Sequence, residues 1–400
     1  MRVETPAPNG GAEAETLAFP LLGAGGQRVL MTADAVGGVW TYALDLARGL
    51  APHVSVSLAT MGHLPSPSQE AEAALVPGLT LHPSSFALEW GNDPWADVAH
   101  AGDWLLALEA DLRPDVVHLN GYVHGALPWR APVLAVGHSC VLSWWRAVQG
   151  GDAPPAWGRY AREVRAGLQA AALVAAPTRA MLNALGTHYG PLPPSLVIPN
   201  GTATGPFAPG KKESIIFSAG RVWDEAKNMR ALAQAARGLP WPVVVAGDAR
   251  HPDGREEPLP HVQPLGRLGP AEVAHWMARA AIYALPARYE PFGLSALEAA
   301  QSGCALVLGD IPSLREVWGE AALFVPPDDA DALRAALCAL IADDNLREHM
   351  AARARARAAD YTPERMADGY LAAYRDLAAE DRGPREDRGP RKDEGLKTPR

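Results

Sequence analysis

Two acidic residues, Glu290 and Glu298, stand in a segment that could bind both an anion and several hydroxyl groups. An apolar run ends at Pro286, a short loop carries Glu290, and a Phe-Gly turn then leads into a predicted helix that carries Glu298. Free amides at a helix N-terminus bind phosphate, and carboxylates accept hydrogen bonds from diols. In an open parallel sheet such a loop lies beyond the carboxyl ends of the strands, where ligands bind. The alternative is an acid that merely complements the helix dipole.

A second group of charges follows a predicted strand in the second half of the chain. Gly220 permits a tight turn there, and the cations Arg221 and Lys227 flank the start of a predicted helix. Two cations and the amides of a helix N-terminus together suit a diphosphate. The alternative is a solvated helical turn in which Asp224 and Glu225 pair locally with Lys227.

Strand ends in the first half of the chain also carry flexible or polar residues. Gly37 and Gly38 follow the first predicted strand and could form a flexible loop over a ligand, or an ordinary strand-to-helix turn. Asp34 precedes them and could orient a ligand hydroxyl or cap the loop. His138 stands just past another buried strand, at a position where a lone histidine is usually structural.

A weaker set of residues surrounds the same predicted cleft. Asn120 and Tyr122 follow the strand predicted over residues 115–119. Aromatic faces suit sugar rings, so Tyr122, His124, Trp144 and Trp145 are candidates for the wall of an acceptor site. A role in the core or in a lid is an equal alternative for these aromatic residues.

The sequence Tyr-Glu-Pro-Phe-Gly-Leu around Glu290, with Glu298 after it, resembles the paired-glutamate motif of retaining glycosyltransferases of family 4. The resemblance runs from about Val29 to about Tyr370 and includes a Gly-Arg…Lys-Asn segment that begins at Gly220. It implies an α/β fold of the GT-B type, with two facing Rossmann-like domains that each contain a parallel β-sheet flanked by helices.

The resemblance also implies roles for individual residues. Arg221 and Lys227 would neutralise the leaving diphosphate, while Glu290 would hold sugar hydroxyls. Glu298 would accept both ribose hydroxyls, and His138 would contact the transferred sugar from the opposite domain. The expected catalytic set is Arg221, Lys227, Glu290 and His138. The expected donor-binding set is Gly37, Gly38, Gly220, Phe292, Gly293, Leu294, Ser295 and Glu298. A weaker acceptor-binding set is Asp34, Asn120 and Tyr122.

Short apolar strands alternate with helical periodicity twice along the chain, which predicts two parallel sheets flanked by helices. The predicted divisions are a flexible N-terminal extension at 1–26, an acceptor domain at 27–200, a linker at 201–213, a donor domain at 214–362, a final helix at 363–379 and a disordered tail at 380–400. The resemblance implies that the final helix crosses back to the first domain.

Composition excludes several classes of protein. A net charge of -9 and a pI near 5.8 argue against broad nucleic-acid binding. Cys140, Cys304 and Cys338 have no metal-type spacing and are expected to be free thiols in a reducing compartment. No apolar run reaches the roughly 18 residues that span a bilayer, and the N-terminus does not have the order of a signal peptide. We therefore expect a cytoplasmic protein.

We expect a retaining hexosyltransferase that uses a UDP-, GDP- or ADP-sugar, with a glycan, lipid or small molecule as acceptor. No cofactor or metal is expected, since the acid-x-acid spacing of Asp329 and Asp331 falls at a predicted helix start. The alternatives are a non-catalytic nucleotide-sugar-binding protein and another GT-B enzyme, such as a sugar-nucleotide epimerase. A dinucleotide oxidoreductase is disfavoured because no strand–GxGxxG–helix unit is present. Peripheral membrane contact stays open, and no nucleic-acid partner is expected.

Overall fold

A computed structural model describes residues 26–382, with gaps at 36, 204, 206, 251–253 and 255–257. The extension predicted at 1–26 lies outside these residues except for Gly26, and so does the predicted tail from residue 383 onward. Within the described part, the chain forms two parallel sheets with helices on their faces. This is the α/β architecture predicted from the alternating pattern of the sequence.

The first domain is built on a parallel sheet with the strand order β3-β2-β1-β4-β5-β6-β7. Its strands are β1 (Gln27–Asp34), β2 (Val54–Met61), β3 (Leu79–Pro83), β4 (Val116–Leu119), β5 (Val133–Val136), β6 (Leu173–Ala176) and β7 (Ser195–Val197). Its helices are α1 (Gly38–Leu50), α2 (Pro67–Ala74), α3 (Trp95–Leu112), α4 (Val141–Gln149), α5 (Gly158–Ala170) and α6 (Arg179–Tyr189), with short 3-10 turns at Val123–Ala126 and Pro155–Trp157.

The second domain repeats the plan with the strand order β10-β9-β8-β11-β12-β13. Its strands are β8 (Glu213–Ala219), β9 (Val243–Ala246), β10 (Gln263–Gly266), β11 (Ala280–Leu285), β12 (Ala305–Gly309) and β13 (Leu323–Val325). Its helices are α7 (Met229–Ala236), α8 (Pro270–Arg279), α9 (Leu294–Gln301), α10 (Pro312–Trp318), α11 (Ala330–Ala342) and α12 (Asp344–Ala358).

The central strands are short and apolar because helices cover them on both faces. Every residue of β4, β5 and β6 is buried, and so is every residue of β11 and β12. Near-continuous apolar strands of this kind belong to doubly covered parallel sheets. Polar residues that follow these strands therefore emerge at one edge of each sheet.

The last helix, α13 (Pro363–Arg382), follows the second domain in sequence but packs on the first. Met366, Tyr370 and Tyr374 are buried in the same core as residues of α1 and β1. Gly49 on α1 allows this contact, because a Cβ there would lie 2.8 Å from Cβ of Ala367. The helix runs three residues beyond the predicted end at 379, into the segment assigned to the tail.

Several elements differ from the sequence-based expectation. The sequence pattern does not reveal α2 and β3 in the Pro- and Gly-rich segment 62–94, nor helices α4 and α10. The helix predicted beside Lys227 begins only at Met229, as α7. Asn228 interrupts it with a left-handed backbone (φ 55°), and its side-chain amide donates to the carbonyls of Pro286 and Pro327 at 3.0 and 2.6 Å. Long-range hydrogen bonds thus override local helix propensity.

None of the helices in the described ranges is long and apolar enough to cross a membrane.

Candidate active site between the two domains

The turn that carries Lys227 is fixed against the loop that carries Glu290. The backbone amide of Arg288 donates to the carbonyl oxygen of Ala226 at 2.9 Å. Asn228, next along the turn, donates to the carbonyl of Pro286 at the end of β11. Two loops that are distant in sequence are therefore held side by side at the carboxyl edge of the second sheet.

Lys227 and Glu290 form an ion pair at this edge. The Lys227 ammonium lies 2.6 Å from Oε2 of Glu290, and the two side chains are 18% and 12% exposed. Oε1 of Glu290 accepts a hydrogen bond from the backbone amide of Gly293 at 3.1 Å. Charges that are largely withdrawn from water interact more strongly than surface charges. The structure brings together two of the predicted catalytic residues and contradicts local pairing of Lys227 with Asp224.

Arg221 lies on the same turn but has other partners. Its guanidinium pairs with Asp224 at 2.8 Å and lies over the ring of Trp223, 5.3 Å from the centroid. The side chain of Arg221 is 52% exposed, whereas that of Asp224 is 6% exposed. The turn itself requires glycine nearby, because a Cβ at Gly247 would lie 1.7 Å from the carbonyl oxygen of Gly220.

The predicted glycine loop faces the N-terminus of α9 across the cleft. Gly37 has φ +90°, in the left-handed region, and immediately precedes α1. A Cβ on Gly38 would lie 3.8 Å from Cδ1 of Leu294, the first residue of α9. Gly293 precedes α9 with φ +91°. The loop, with Asp34 just before it, and the helix amides thus border the same space from opposite domains.

Two more of the predicted donor-binding residues, Ser295 and Phe292, lie near the start of α9 in different surroundings. The hydroxyl of Tyr283 donates to Oγ of Ser295 at 2.8 Å, which fixes Ser295 on the first turn of the helix. Phe292 is buried in the core of the second domain, where its ring packs edge-on against Tyr361 at 5.4 Å. The side chain of Phe292 therefore supports the turn by packing in the core and has no exposed face for a ligand.

Glu298 lies on the second turn of α9 as a half-buried residue. Burial, and next the nearby carboxylate of Asp45, raise the pKa of Glu298 to about 8. Asp45 is on α1 and accepts a hydrogen bond from Oγ1 of Thr202 at 3.0 Å, and it also pairs with Arg48 at 2.8 Å. Within the described residues, the carboxyl group of Glu298 has no hydrogen-bond partner, so it is available to a ligand.

The first domain contributes His138 from the loop after β5. Nε2 of His138 lies 2.8 Å from Oδ1 of Asn120, and the ring of Tyr42 packs edge-on against the imidazole at 4.4 Å. The amide of Asn120 is thus engaged inside the protein, whereas we expected it to bind an acceptor. Tyr122 is buried, and its hydroxyl donates to the carbonyl of Ser139 at 2.7 Å. Both side chains therefore have hydrogen-bond partners within the first domain.

Contacts between the domains converge on these loops. The hydroxyl of Tyr289 accepts from the amide of Cys140 at 3.0 Å and lies 2.9 Å from Oγ of Ser143. Trp144, which we considered for an acceptor wall, donates to Asp224 at 3.2 Å. The carboxylate of Glu316 accepts from the first backbone amides of α6, at 2.6 and 2.9 Å. These side chains hold the loop of His138 against the loop of Glu290.

The sequence did not single out Tyr289 or Ser143 because each finds its partner more than a hundred residues away. No group of three or more His, Cys, Asp or Glu side chains in the described part of the chain could hold a metal ion. Arg221 and Lys227 supply positive charge at the cleft.

Comparison with known proteins agrees with this geometry. A family model described as "Glycosyltransferase Family 4" matches residues 36–205, and one described as "Glycosyl transferases group 1" matches residues 213–343. A D-inositol 3-phosphate glycosyltransferase of Jonesia denitrificans is 26% identical, over 86% of this chain and 92% of that relative. O-antigen chain mannosyltransferase B of Escherichia coli is 31% identical over 38% of this chain, and the alignment spans 43% of that relative.

Among solved structures, HepE of Anabaena in complex with UDP-glucose is similar with a TM-score of 0.68 and 17% identity, and the match covers 87% of this chain and 99% of that one. The expected GT-B fold is therefore confirmed. The two family models together span most of the described chain, one on each domain, and Lys227 and Glu290 both lie within the second match. This chain belongs to the glycosyltransferases of group 1 and family 4.

Proposed function

We propose that this protein transfers a sugar from a nucleoside diphosphate sugar to a hydroxyl acceptor, with retention of anomeric configuration and without a metal ion. The observation that carries the proposal is the ion pair of Lys227 and Glu290, which lies between the turn that carries Arg221 and the N-terminus of α9. The relatives support the reaction class, because one is named for transfer to D-inositol 3-phosphate and a structural neighbour binds UDP-glucose.

The leaving group is a nucleoside diphosphate, so its departure builds negative charge on the phosphate and positive charge on the sugar. Lys227, Arg221 and the amides at the start of α9 would stabilise the phosphate charge, as donors aimed at developing charge do in other enzymes. The half-exposed guanidinium of Arg221 can be reached by a ligand while it stays paired with Asp224. Glu290 is held by the amide of Gly293 and would bind sugar hydroxyls beside the developing cation.

Glu298 would bind the ribose, since its carboxyl group has no hydrogen-bond partner among the described residues. Closure of the two domains around the donor would exclude water, which otherwise hydrolyses it. The contacts of Tyr289 and Glu316 across the cleft are those of a closed arrangement. Retention and metal independence are parts of the proposal that are open to direct tests.

The first experiment is a thermal-shift panel with UDP, GDP, ADP, TDP and NAD on the wild type, Lys227→Ala and Lys211→Ala. A ligand that binds the native state raises the unfolding midpoint. Lys211 is an exposed lysine outside the cleft and serves as the matched control. We expect a shift with one nucleoside diphosphate that is lost in Lys227→Ala and kept in Lys211→Ala. A shift with NAD alone would contradict the proposal.

The second experiment follows slow hydrolysis of the matching donor by proton NMR, in the presence of EDTA. UDP-glucose, the ligand named for HepE, is the first donor to test. We expect the first-formed sugar to have the anomeric configuration of the donor, at a rate that EDTA does not change. An inverted sugar would refute retention, and loss of the reaction in EDTA would refute metal independence.

A further inference from the structure

Thr32 fixes the backbone of Asn120 and the orientation of its side-chain amide. The backbone amide of Asn120 donates to Oγ1 of Thr32 at 2.9 Å, and its Nδ2 donates to the carbonyl oxygen of Thr32 at 2.7 Å. A backbone carbonyl can only accept, so the nitrogen of the amide must face it. The oxygen of the amide, Oδ1, therefore points the other way.

That oxygen lies between two imidazole rings. Nε2 of His118 is 3.1 Å from Oδ1 of Asn120, and Nε2 of His138 is 2.8 Å from the same atom. An amide oxygen has no hydrogen to give, so each histidine must carry its hydrogen on Nε2. The hydroxyl of Tyr42 lies 3.4 Å from Nε2 of His118 and can share that hydrogen as a second acceptor.

The chain of hydrogen bonds continues to the last helix. The hydroxyl of Tyr374 on α13 lies 2.5 Å from Nδ1 of His118. Because Nδ1 of a neutral Nε2–H imidazole is bare, Tyr374 is the donor. Burial lowers the pKa of both His118 and His138 to about 3, so both rings are neutral at ordinary pH. By donating to Nδ1, Tyr374 thus stabilises the Nε2–H tautomer of His118.

Nδ1 of His138 is then bare as well, and no residue in the described part of the chain donates a hydrogen bond to it. The loop of His138 is held against the loop of Glu290 by the bond between Cys140 and Tyr289. A bare imidazole nitrogen at the cleft can only accept a hydrogen bond. It therefore suits a hydroxyl group of the ligand and not an anionic oxygen.

We propose that Tyr374, His118 and Asn120 are positioning residues that hold His138 as its Nε2–H tautomer, so that Nδ1 accepts a hydrogen bond from a hydroxyl of the transferred sugar. The inference rests on the proposed function for the identity of the ligand. The positioning residues touch no substrate themselves, and they connect the final helix of the chain to the sugar site.

The tautomer can be read directly by NMR of protein labelled with 15N-histidine, without any substrate. The signals of His138 and His118 are assigned from their loss in His138→Gln and His118→Gln. We expect both rings in the wild type to be neutral with hydrogen on Nε2 between pH 6 and pH 8. Sugar transfer by the wild type should show no step from histidine titration across the same range.

Asn120→Asp is the variant that separates positioning from mere structural support. A carboxylate against two imidazoles favours their charged form, so His138 gains a hydrogen on Nδ1 and loses its role as acceptor. We expect transfer to fall about tenfold or more at pH 6 and to recover partly toward pH 8, as one unit of pKa shift is tenfold in protonation. The NMR signal of His138 should titrate over the same range.

Tyr374→Phe gives a second measurement if Asn120→Asp fails to fold. The change keeps the ring and removes the donor to Nδ1 of His118, while Oδ1 of Asn120 still accepts from Nε2. We therefore expect the Nδ1 signal of His118 to shift with its tautomer unchanged, and kcat to fall about fivefold, as for one lost hydrogen bond. Tyr361→Phe is the matched control, since its hydroxyl donates to the carbonyl of Val317 at 2.9 Å in the second domain. It should leave the histidine signals and transfer unchanged.

The outcomes distinguish this inference from the proposed function. A wild-type protein that binds no nucleoside diphosphate and transfers no sugar overturns the proposed function. An active protein whose His138 carries its hydrogen on Nδ1 overturns the positioning role. Activity of Asn120→Asp and Tyr374→Phe that equals the wild type at every pH overturns it as well.

Discussion

The two walls of the cleft use different chemistry. The second domain presents charges, with Lys227 and Glu290 paired at 2.6 Å and Arg221 half-exposed beside them. The first domain presents His138 as a neutral group, backed by buried rings and amides with the pKa of its imidazole lowered to about 3. One wall therefore suits a charged diphosphate, and the other suits uncharged sugar hydroxyls.

The difference shows how one cleft can separate two tasks. Cations and helix amides that are fixed in advance are best able to stabilise the charge that develops on a leaving phosphate. The sugar needs directional hydrogen bonds whose donors and acceptors do not change with pH. Because the two sets lie on separate domains, closure would bring them together around the proposed donor. The following predictions test this division, beginning with the largest effect.

Removing one member of the ion pair should have the largest effect. We expect Lys227→Ala and Glu290→Gln each to lower kcat by about 100-fold or more, the range seen when one preorganised transition-state group is lost. Steady-state transfer assays measure this, with circular dichroism to confirm the fold. Lys211→Ala should stay near the wild type. Near-normal turnover of either variant would show that the charged wall is not the catalytic one.

Glu298 should make stability depend on pH. Its pKa is about 8 in the folded protein against an ordinary 4.5, so between these values the folded state binds a proton that the unfolded state does not. Stability from this group is therefore lost as pH rises from about 4.5 to about 8. We expect Glu298→Gln to be more stable than the wild type at pH 8 and little changed at pH 5.

The size of that gain should be on the order of 1–3 kcal/mol, the usual cost of an unsatisfied buried polar group. Thermal unfolding of both proteins at the two pH values measures it. Asp45→Asn provides a partial control, because it removes the carboxylate that adds to the shift at Glu298. A gain that is equal at both pH values would contradict the raised pKa.

Loosening the contact between the walls should have a smaller effect. Tyr289→Phe removes the hydroxyl that accepts from Cys140 and contacts Ser143, while the ring remains. We expect a fall of about fivefold in kcat, corresponding to about 1 kcal/mol for one hydrogen bond. Tyr361→Phe again serves as the control. If Tyr289→Phe transfers sugar as fast as the wild type, this contact does not limit closure.

The smallest effect should appear in thiol labelling. Cys338 is exposed, whereas burial raises the pKa of the thiols of Cys140 and Cys304. Because thiolates are the reactive form, we expect a thiol reagent to label Cys338 first in the native protein. Tyr289→Phe should speed the labelling of Cys140 relative to Cys304. Equal rates for the two buried thiols in that variant would argue against a local opening between the walls.

The charged wall could be predicted from the sequence, because its members lie in short segments after strand ends. Gly220 to Lys227 and Glu290 to Glu298 each place their charges at a strand-to-helix connection, which local pattern reveals. The fold followed from the same alternation of strands and helices. The position of Lys227 before the helix could not be predicted, because the side chain of Asn228 is held by the carbonyls of two remote prolines.

The neutral wall could be predicted only in part. His138 was identified by its place after β5, but its partners Asn120, His118 and Tyr374 are brought together by the sheet and by α13. Nothing local distinguishes Tyr374 from any other aromatic residue on an amphipathic helix. Glu316 is similar, since it caps a helix in the other domain. Contacts across such sequence distances depend on tertiary packing, which a local pattern does not encode.

The path of α13 has a consequence for synthesis on the ribosome. The first sheet emerges early, yet Met366, Tyr370 and Tyr374, which complete its core, are translated after the whole second domain. Domains usually fold as units in the order in which they leave the ribosome. Here the surface of the first domain that α13 covers stays exposed until the second domain has been synthesised. The first domain to be made is therefore the last to be finished.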